Sequence, residues 1–290
     1  MAEALESIAA RLERLLDRAE RLLPGVPAPL TEDECRAFTA FRWEGTGGGR
    51  LVPIRHPHHV ELDDLVGIDD VKDELVRNTR QFVGGLSANN VLLWGERGNG
   101  KSSCVKGLLP RFAGRGLRLV EVQRWDLLGL PAIAAMLREL PYRFILFCDD
   151  LSFGEGETAY RGLKTILEGG IEARPENVLL YATSNRRHLM PEPMTDNVGG
   201  GEIHPEEAVS EKLSLSDRFG LSLGFFSVDQ DEYLAIVTHY AQRLDLPIAP
   251  DDLRREALLW SRYSGRRSGR AARPFIDDLA GRLGRCAGTE

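Results

Sequence analysis

Gly95-Glu96-Arg97-Gly98-Asn99-Gly100-Lys101-Ser102 restricts what this chain can fold into more than any other stretch. Glycines at the first and last loop positions let backbone N–H groups turn inward as an anion nest. At this spacing Lys101 reaches the β and γ phosphates of a nucleoside triphosphate, and Ser102 is placed to ligate Mg²⁺. The flanks fit that use. Asn89 to Trp94 reads as a short buried strand, and Ser102 to Leu109 reads as a helix whose N-terminal dipole favours phosphate. Strand, loop and helix therefore follow one another in the order the motif requires.

The chain has 290 residues, 42% of them hydrophobic, enough for a substantial core in one large or two small domains. A net charge of −7 gives no global field toward nucleic acid or an anionic membrane, while leaving room for a local basic surface. Cys35, Cys104, Cys148 and Cys286 are far apart with no Cys-x-x-Cys pair, the usage of reduced thiols in a cytosolic protein. No apolar run is long enough to span a bilayer, and Glu3 and Glu6 stand where a secretory signal carries positive charge. A cytoplasmic protein without a membrane partner is the expectation.

Leu5, Ile8, Leu12, Leu15, Ala19 and Leu22 follow spacings of three and four, so residues 3 to 23 are expected to form an amphipathic helix ended by Pro24. It would pack on the chain's own core or pair with a partner helix. Residues 24 to 60 are rich in proline and glycine and read as an extended connector with one short helix around Glu32 to Phe41. His56, His58 and His59 cluster there. They are either a metal site, with only Glu61 nearby, or a solvated loop.

From residue 61 helices alternate with short buried strands, the pattern of a parallel sheet covered on both faces. Five strands are expected, at Asn90 to Trp94, Leu117 to Val122, Phe144 to Cys148, Val178 to Ser184 and Leu221 to Phe226, giving a three-layer α/β sandwich. Phe144 to Cys148 runs into Asp149-Asp150, which puts two carboxylates at the carboxyl edge of the sheet, where ligands of open α/β folds bind. This is a Walker B pattern. Asp149 would hold Mg²⁺ through water, and Asp150 would orient the water that attacks the γ-phosphate.

At this point the chain resembles the AAA+ P-loop ATPases, over about residues 61 to 285. The resemblance implies an ATP site contacted by Gly95, Glu96, Arg97, Gly98, Asn99, Gly100, Lys101, Ser102 and Ser103, with Val66, Gly67 and Ile68 lining the adenine pocket. It implies that Asn185, ending Tyr181-Ala182-Thr183-Ser184-Asn185, is the sensor 1 residue. Leu215-Ser216-Asp217-Arg218-Phe219-Gly220 is similar to the family's arginine-finger box, in which Arg218 would reach the γ-phosphate of a neighbouring subunit. The catalytic set is then Lys101, Asp150, Asn185 and Arg218, with Ser102 and Asp149 at the metal. ATP and Mg²⁺ are the implied ligands.

Residues 229 to 285 carry three helical patterns, Gln230 to Leu244, Asp251 to Tyr263 and Gly269 to Leu283, with Pro274 expected to delay the third. They resemble the small helical lid of the AAA+ family. The implied organisation is an N-terminal helix and linker (1–60), an α/β core (61–228) and a lid (229–290). Arg270 would be the lid's sensor 2 arginine, with Arg266, Arg267 and Arg273 as alternatives. Nine arginines between Arg254 and Arg285 face three acids in that span, which raises a nucleic-acid surface beside lid and subunit-interface roles. Met190 to Lys212 reads as a surface loop followed by a short helix from about Pro205.

More closely, Phe147 to Phe153, Leu167 to Pro175 and Ala182 to Leu189 are similar to a bacterial family of predicted ATPases known as domain of unknown function 815. Two departures from the wider AAA+ pattern stand out. Asp150 replaces the usual Glu and is one methylene shorter, which points to slow turnover, with Glu155 or Glu157 as substitute bases. The region after the second expected strand offers Leu127-Leu128-Gly129 with the aromatic displaced to Trp125, so a threading motor is disfavoured. The implied activity is ATP hydrolysis at a subunit interface in a homo-oligomer, a ring by family expectation, that remodels a protein partner. Its rivals are a slow ATP-gated switch or loader and a DNA-associated AAA+ protein.

Overall fold

The computed structural model describes residues 30–154, 160–168, 173–187, 189 and 215–285. The expected helix over 3 to 23, the loop from Met190 to Lys212, and Glu155 and Glu157 lie outside these. Seven strands form one sheet: β1 (Ala40–Glu44), β2 (Arg50–Pro53), β3 (Val91–Gly95), β4 (Leu117–Glu121), β5 (Arg143–Cys148), β6 (Val178–Ser184) and β7 (Leu221–Phe225). Their order is β2-β1-β4-β5-β6-β3-β7, and every pairing is parallel except β1 with β2.

Seven strands replace the five expected, because residues 40–53 join the sheet where a connector was expected. Phe41 and Trp43 point into the core between exposed Arg42 and half-buried Glu44, a strand alternation hidden among the prolines and glycines around it. β1 extends the parallel sheet beside β4, where Arg42 Nε donates to Glu121 Oε2 at 2.7 Å. The preceding helix α1 (Glu32–Ala37) is capped by a Thr31–Glu34 capping box and stops before Phe38, shorter than the sequence pattern indicated.

Alternation sorts the strand side chains between two cores. Leu92, Val120, Phe144, Leu146, Val178 and Leu180 face one side, against α5 (Leu130–Leu137) and α6 (Tyr160–Glu168). Val91, Leu93, Ile145, Phe147, Leu179 and Tyr181 face the other, against α2 (Asp69–Val83), α3 (Lys101–Lys106) and α4 (Leu108–Phe112). The result is three layers, with every carboxyl-terminal strand end of the parallel set on one edge. The helix expected from Ser102 to Leu109 is split at Gly107. Pro110 has no N–H for the Lys106 carbonyl, and Gly107 lies against Leu62.

Three helices follow the sheet: α7 (Gln230–Arg243), α8 (Pro250–Ser264) and α9 (Gly269–Arg282). They enclose a core of their own built on Tyr233, Val237, Ala257, Ala272, Phe275 and Ile276. An Asp229–Glu232 capping box starts α7, Pro250 opens α8 and the Ser268 side chain caps α9. Pro274 does not delay α9 and sits inside it. The missing N–H sacrifices only the bond to the Arg270 carbonyl, while the Ser268 cap and the apolar face hold the first turn.

Candidate nucleotide site

The phosphate loop leaves β3 through glycines in conformations closed to other residues. Gly95 has φ 132°, and a Cβ there would fall 1.9 Å from the Phe225 carbonyl oxygen. Gly98 has φ 88° and presses against Ser268 and Arg270 at the start of α9. The Arg270 N–H donates to the Gly98 carbonyl at 3.2 Å, so the loop is tied directly to the three-helix unit. Asn99 Nδ2 donates to the Phe226 carbonyl at 2.5 Å and fixes the loop to the end of β7. Lys101 is 7% exposed, and its Nζ donates to the Gly95 and Glu96 carbonyls at 2.7 and 2.6 Å. Burial pushes its pKa down, opposed by the carboxylates of Asp150 and Asp149.

Facing Lys101, the ends of β5 and β6 carry a hydrogen-bonded cluster. Ser102 Oγ donates to Asp149 Oδ1 at 2.6 Å, and Thr183 Oγ1 donates to the same oxygen at 2.5 Å. Thr183 Oγ1 also accepts from the Asp150 N–H at 2.8 Å, so one hydroxyl sets the position of both aspartates. Asp150 adopts φ 54°, a left-handed conformation that a non-glycine residue holds only under local constraint. Its carboxylate accepts from Asn185 Nδ2, and Arg97 Nη2 lies 3.7 Å from Oδ2.

These groups line a cleft of about 1290 Å³ between the sheet edge and the three-helix unit. Its wall also includes the apolar Val60, Leu65, Val66, Ile68, Ile236 and Tyr240 beside Gly67, with Asp64, Asp69, Asp70 and Glu232 among them. Lys72 Nζ donates to the Leu65 carbonyl at 2.5 Å and pins that segment. Asp64, 8% exposed, is paired with Arg243 of α7 and lies 3.4 Å from His239 Nε2. This buried carboxylate joins the core to the three-helix unit across the cleft wall.

Most of the expected site residues meet in this cleft: Val66, Gly67, Ile68, Arg97 through Ser103, Asp149, Asp150, Asn185 and Arg270. Gly95 and Glu96 do not line it, and they act through the carbonyls that hold Lys101. Of the four arginines considered for sensor 2, Arg270 and Arg273 reach the cleft and Arg266 and Arg267 do not. Arg273 is engaged by Asp277 and by the Tyr240 ring, which leaves Arg270 as the arginine turned to the loop. Arg218 is outside its own cleft and paired with Glu168. His58 lines the cleft, and among the described residues no group of three or more His, Cys, Asp and Glu could hold a metal ion.

Sequence reasoning missed Thr183 and Asp64. The local hint at Thr183 is its place two residues before Asn185, at the end of the same strand; the β5–β6 register, pairing Cys148 with Ala182, is what brings it beside Asp149. Asp64 had none, since its partners lie on α7 and nothing local distinguishes it from Asp63.

A strand–loop–helix phosphate cradle, paired acids at a parallel sheet edge and a following three-helix unit define the AAA+ P-loop ATPase fold. The family described as "Protein of unknown function (DUF815)" matches residues 36–283, and the chain belongs to it. No curated protein matches the sequence. Among solved structures, the Thermotoga maritima RuvB Holliday junction branch migration motor is similar at 20% identity, over 78% of this chain and 66% of that one, with TM-score 0.50. The Aeropyrum pernix ORC1 protein in complex with DNA is similar at 16% identity, over 75% of this chain and 61% of that one, with TM-score 0.52. In both cases this chain spans less than two thirds of the other, and the likeness is one of fold. Among the described residues no helix is long and apolar enough to cross a membrane.

Proposed function

We propose that this chain binds Mg-ATP in the cleft, hydrolyses it at the boundary between two copies of itself, and uses the change to remodel a protein partner. One observation carries the reading. Lys101, Asp149, Asn185 and Arg270 come from four separate parts of the chain and line one cleft, while Arg218 lies outside it. Ser102 Oγ and Asp149 Oδ1, 2.6 Å apart, are hard oxygen donors of the type that suits Mg²⁺. When bound, the ion would screen phosphate charge. Lys101 and Arg270 add positive charge from the same chain, and Asp150, positioned by Asn185 and Thr183, orients the attacking water. Arg218 completes the site from a neighbouring copy in an oligomer, by family expectation a ring. The three-helix unit serves as the lid over residues 229–285, and a cytoplasmic setting suits the buried free thiols of Cys35, Cys104 and Cys148.

A slow ATP-gated switch is the second reading, favoured by Asp150. Its shorter carboxylate is already occupied by Asn185 and flanked by Arg97. A DNA-facing lid has less support, because Arg255, Arg273, Arg282 and Arg285 are paired with acids of the same three-helix region. The test is ATP turnover per chain across a wide range of protein concentration, with Arg218→Ala beside wild type. Specific activity that rises with concentration, and is lost in a variant that still binds ATP, supports the oligomeric ATPase. Tight binding with negligible turnover at every concentration supports the switch.

A further inference from the structure

We infer that Glu168 is an intrachain brake on Arg218; the inference rests on the proposed role of Arg218 in a neighbouring copy's site. Arg218 Nη2 lies 2.5 Å from Glu168 Oε1, with the two side chains 25% and 36% exposed. Both are mounted on fixed supports. Glu168 ends α6, whose Leu163 and Ile166 are buried and whose Gly162 packs so closely that a Cβ would fall 2.0 Å from the Leu127 carbonyl oxygen. Arg218 stands between Leu215 and Phe219, which are buried in the same core cluster as Leu163. Release of the guanidinium therefore requires only side-chain motion.

The pairing competes with the proposed role. A guanidinium edge that donates to Glu168 is unavailable to a phosphate on another chain, so engagement of the neighbour must break the contact or turn a different edge outward. Partial exposure makes the pair weak enough to exchange. The pair also draws Arg218 toward Glu168 in the isolated chain, so the finger engages most readily where a stronger anion, the γ-phosphate of a bound nucleotide, competes for it. Assembly on an ATP-loaded neighbour is thereby favoured over assembly on an empty one. Leu215 and Phe219 already anchor the segment, so the ion pair is not needed to hold it.

The test measures ATP turnover of the full chain at a protein concentration well below the one at which wild type is half-maximally active. Glu168→Gln, Glu168→Asp, Arg218→Ala and the Glu168→Gln/Arg218→Ala double variant are compared. Glu168→Gln is expected to raise turnover about fivefold, the scale of a partly exposed ion pair, with KM for ATP unchanged and half-maximal activity reached at lower protein concentration. Glu168→Asp, which keeps the charge, should stay near wild type, and both variants carrying Arg218→Ala should be inactive. Unchanged or lower turnover in Glu168→Gln, with Arg218→Ala inactive, overturns the brake and leaves the shared site standing. Loss of both activity and thermal stability in Glu168→Gln, with both retained in Glu168→Asp, makes Glu168 a structural residue and also overturns it. Full activity in Arg218→Ala overturns the shared site itself, and the brake with it.

Discussion

The phosphate end of the cleft and the Arg218 region use the same chemistry, charged groups held by hydrogen bonds, with opposite preparation. At the phosphate end Lys101, Ser102, Asp149, Asp150, Thr183 and Asn185 are wired together by the loop and two adjacent strand ends. Arg218 sits outside that network, tied to Glu168 on a partly exposed surface. The residues proposed to bind nucleotide are set in place by the sheet of one chain, whereas Arg218, proposed to accelerate hydrolysis, is kept on a partly exposed ion pair. On the proposed reading, a protein divided in this way would hold nucleotide alone and turn it over in company.

The comparison breaks first at Asp150. If its carboxylate orients water, Asp150→Asn should lower assembled turnover about a hundredfold while ATP binding is retained, as measured by steady-state hydrolysis and by titration. Equal turnover would transfer the role to another acid. Thr183→Val sharpens the comparison from inside the network. It removes the hydroxyl that bonds Asp149 and receives the Asp150 N–H, and turnover should fall roughly tenfold with little loss of fold. A variant indistinguishable from wild type would mean that the β5 end holds the acids unaided.

The smallest expected effect tests the rigidity behind the phosphate end. Burial pushes the Cys35 thiol up to about 11 and the Cys104 thiol to about 12. Both values lie above those of the unfolded chain, so the contribution is complete below about pH 9 and is lost as pH rises toward the folded values. Urea unfolding should therefore show stability falling above about pH 9, by at most ~1.4 kcal/mol per pH unit per thiol. Near-complete resistance of Cys35 and Cys104 to a thiol reagent at pH 8, read by peptide mapping, should accompany it. Fast labelling of Cys104, which lies in α3 directly after the loop, would show that this end opens readily.

Much of this was legible because local pattern and position coincide. The glycines, Lys101 and Ser102 are contiguous, Asp149 and Asp150 end an apolar run, and the period of α7 to α9 identifies three helices whatever packs on them. Legibility failed where partners are remote or signals compete. β1 and β2 were lost because Phe41, Trp43 and Leu51 alternate over few residues among glycines and prolines, and their pairing with each other and with β4 is a tertiary fact. Asp64 is buried only because α7 brings Arg243 to it. Pro274 was misread because a helix can forgo one bond when a cap and a buried face hold its first turn. Glu168 lies in the Leu167 to Pro175 stretch that resembles the family, but nothing local gives it a role, and its proximity to Arg218 emerges only when α6 is placed.

The most direct test of the division mixes two inactive chains. On the proposed roles, Lys101→Ala would lack a working phosphate site but keep its Arg218, and Arg218→Ala would keep the site but lack the finger. Each alone should show background ATP turnover, and equal amounts combined should recover activity, because mixed contacts place an intact Arg218 beside an intact cleft. Recovery that grows with total protein concentration is the predicted result. Full turnover by Arg218→Ala alone, or a mixture that stays at background, would contradict the account.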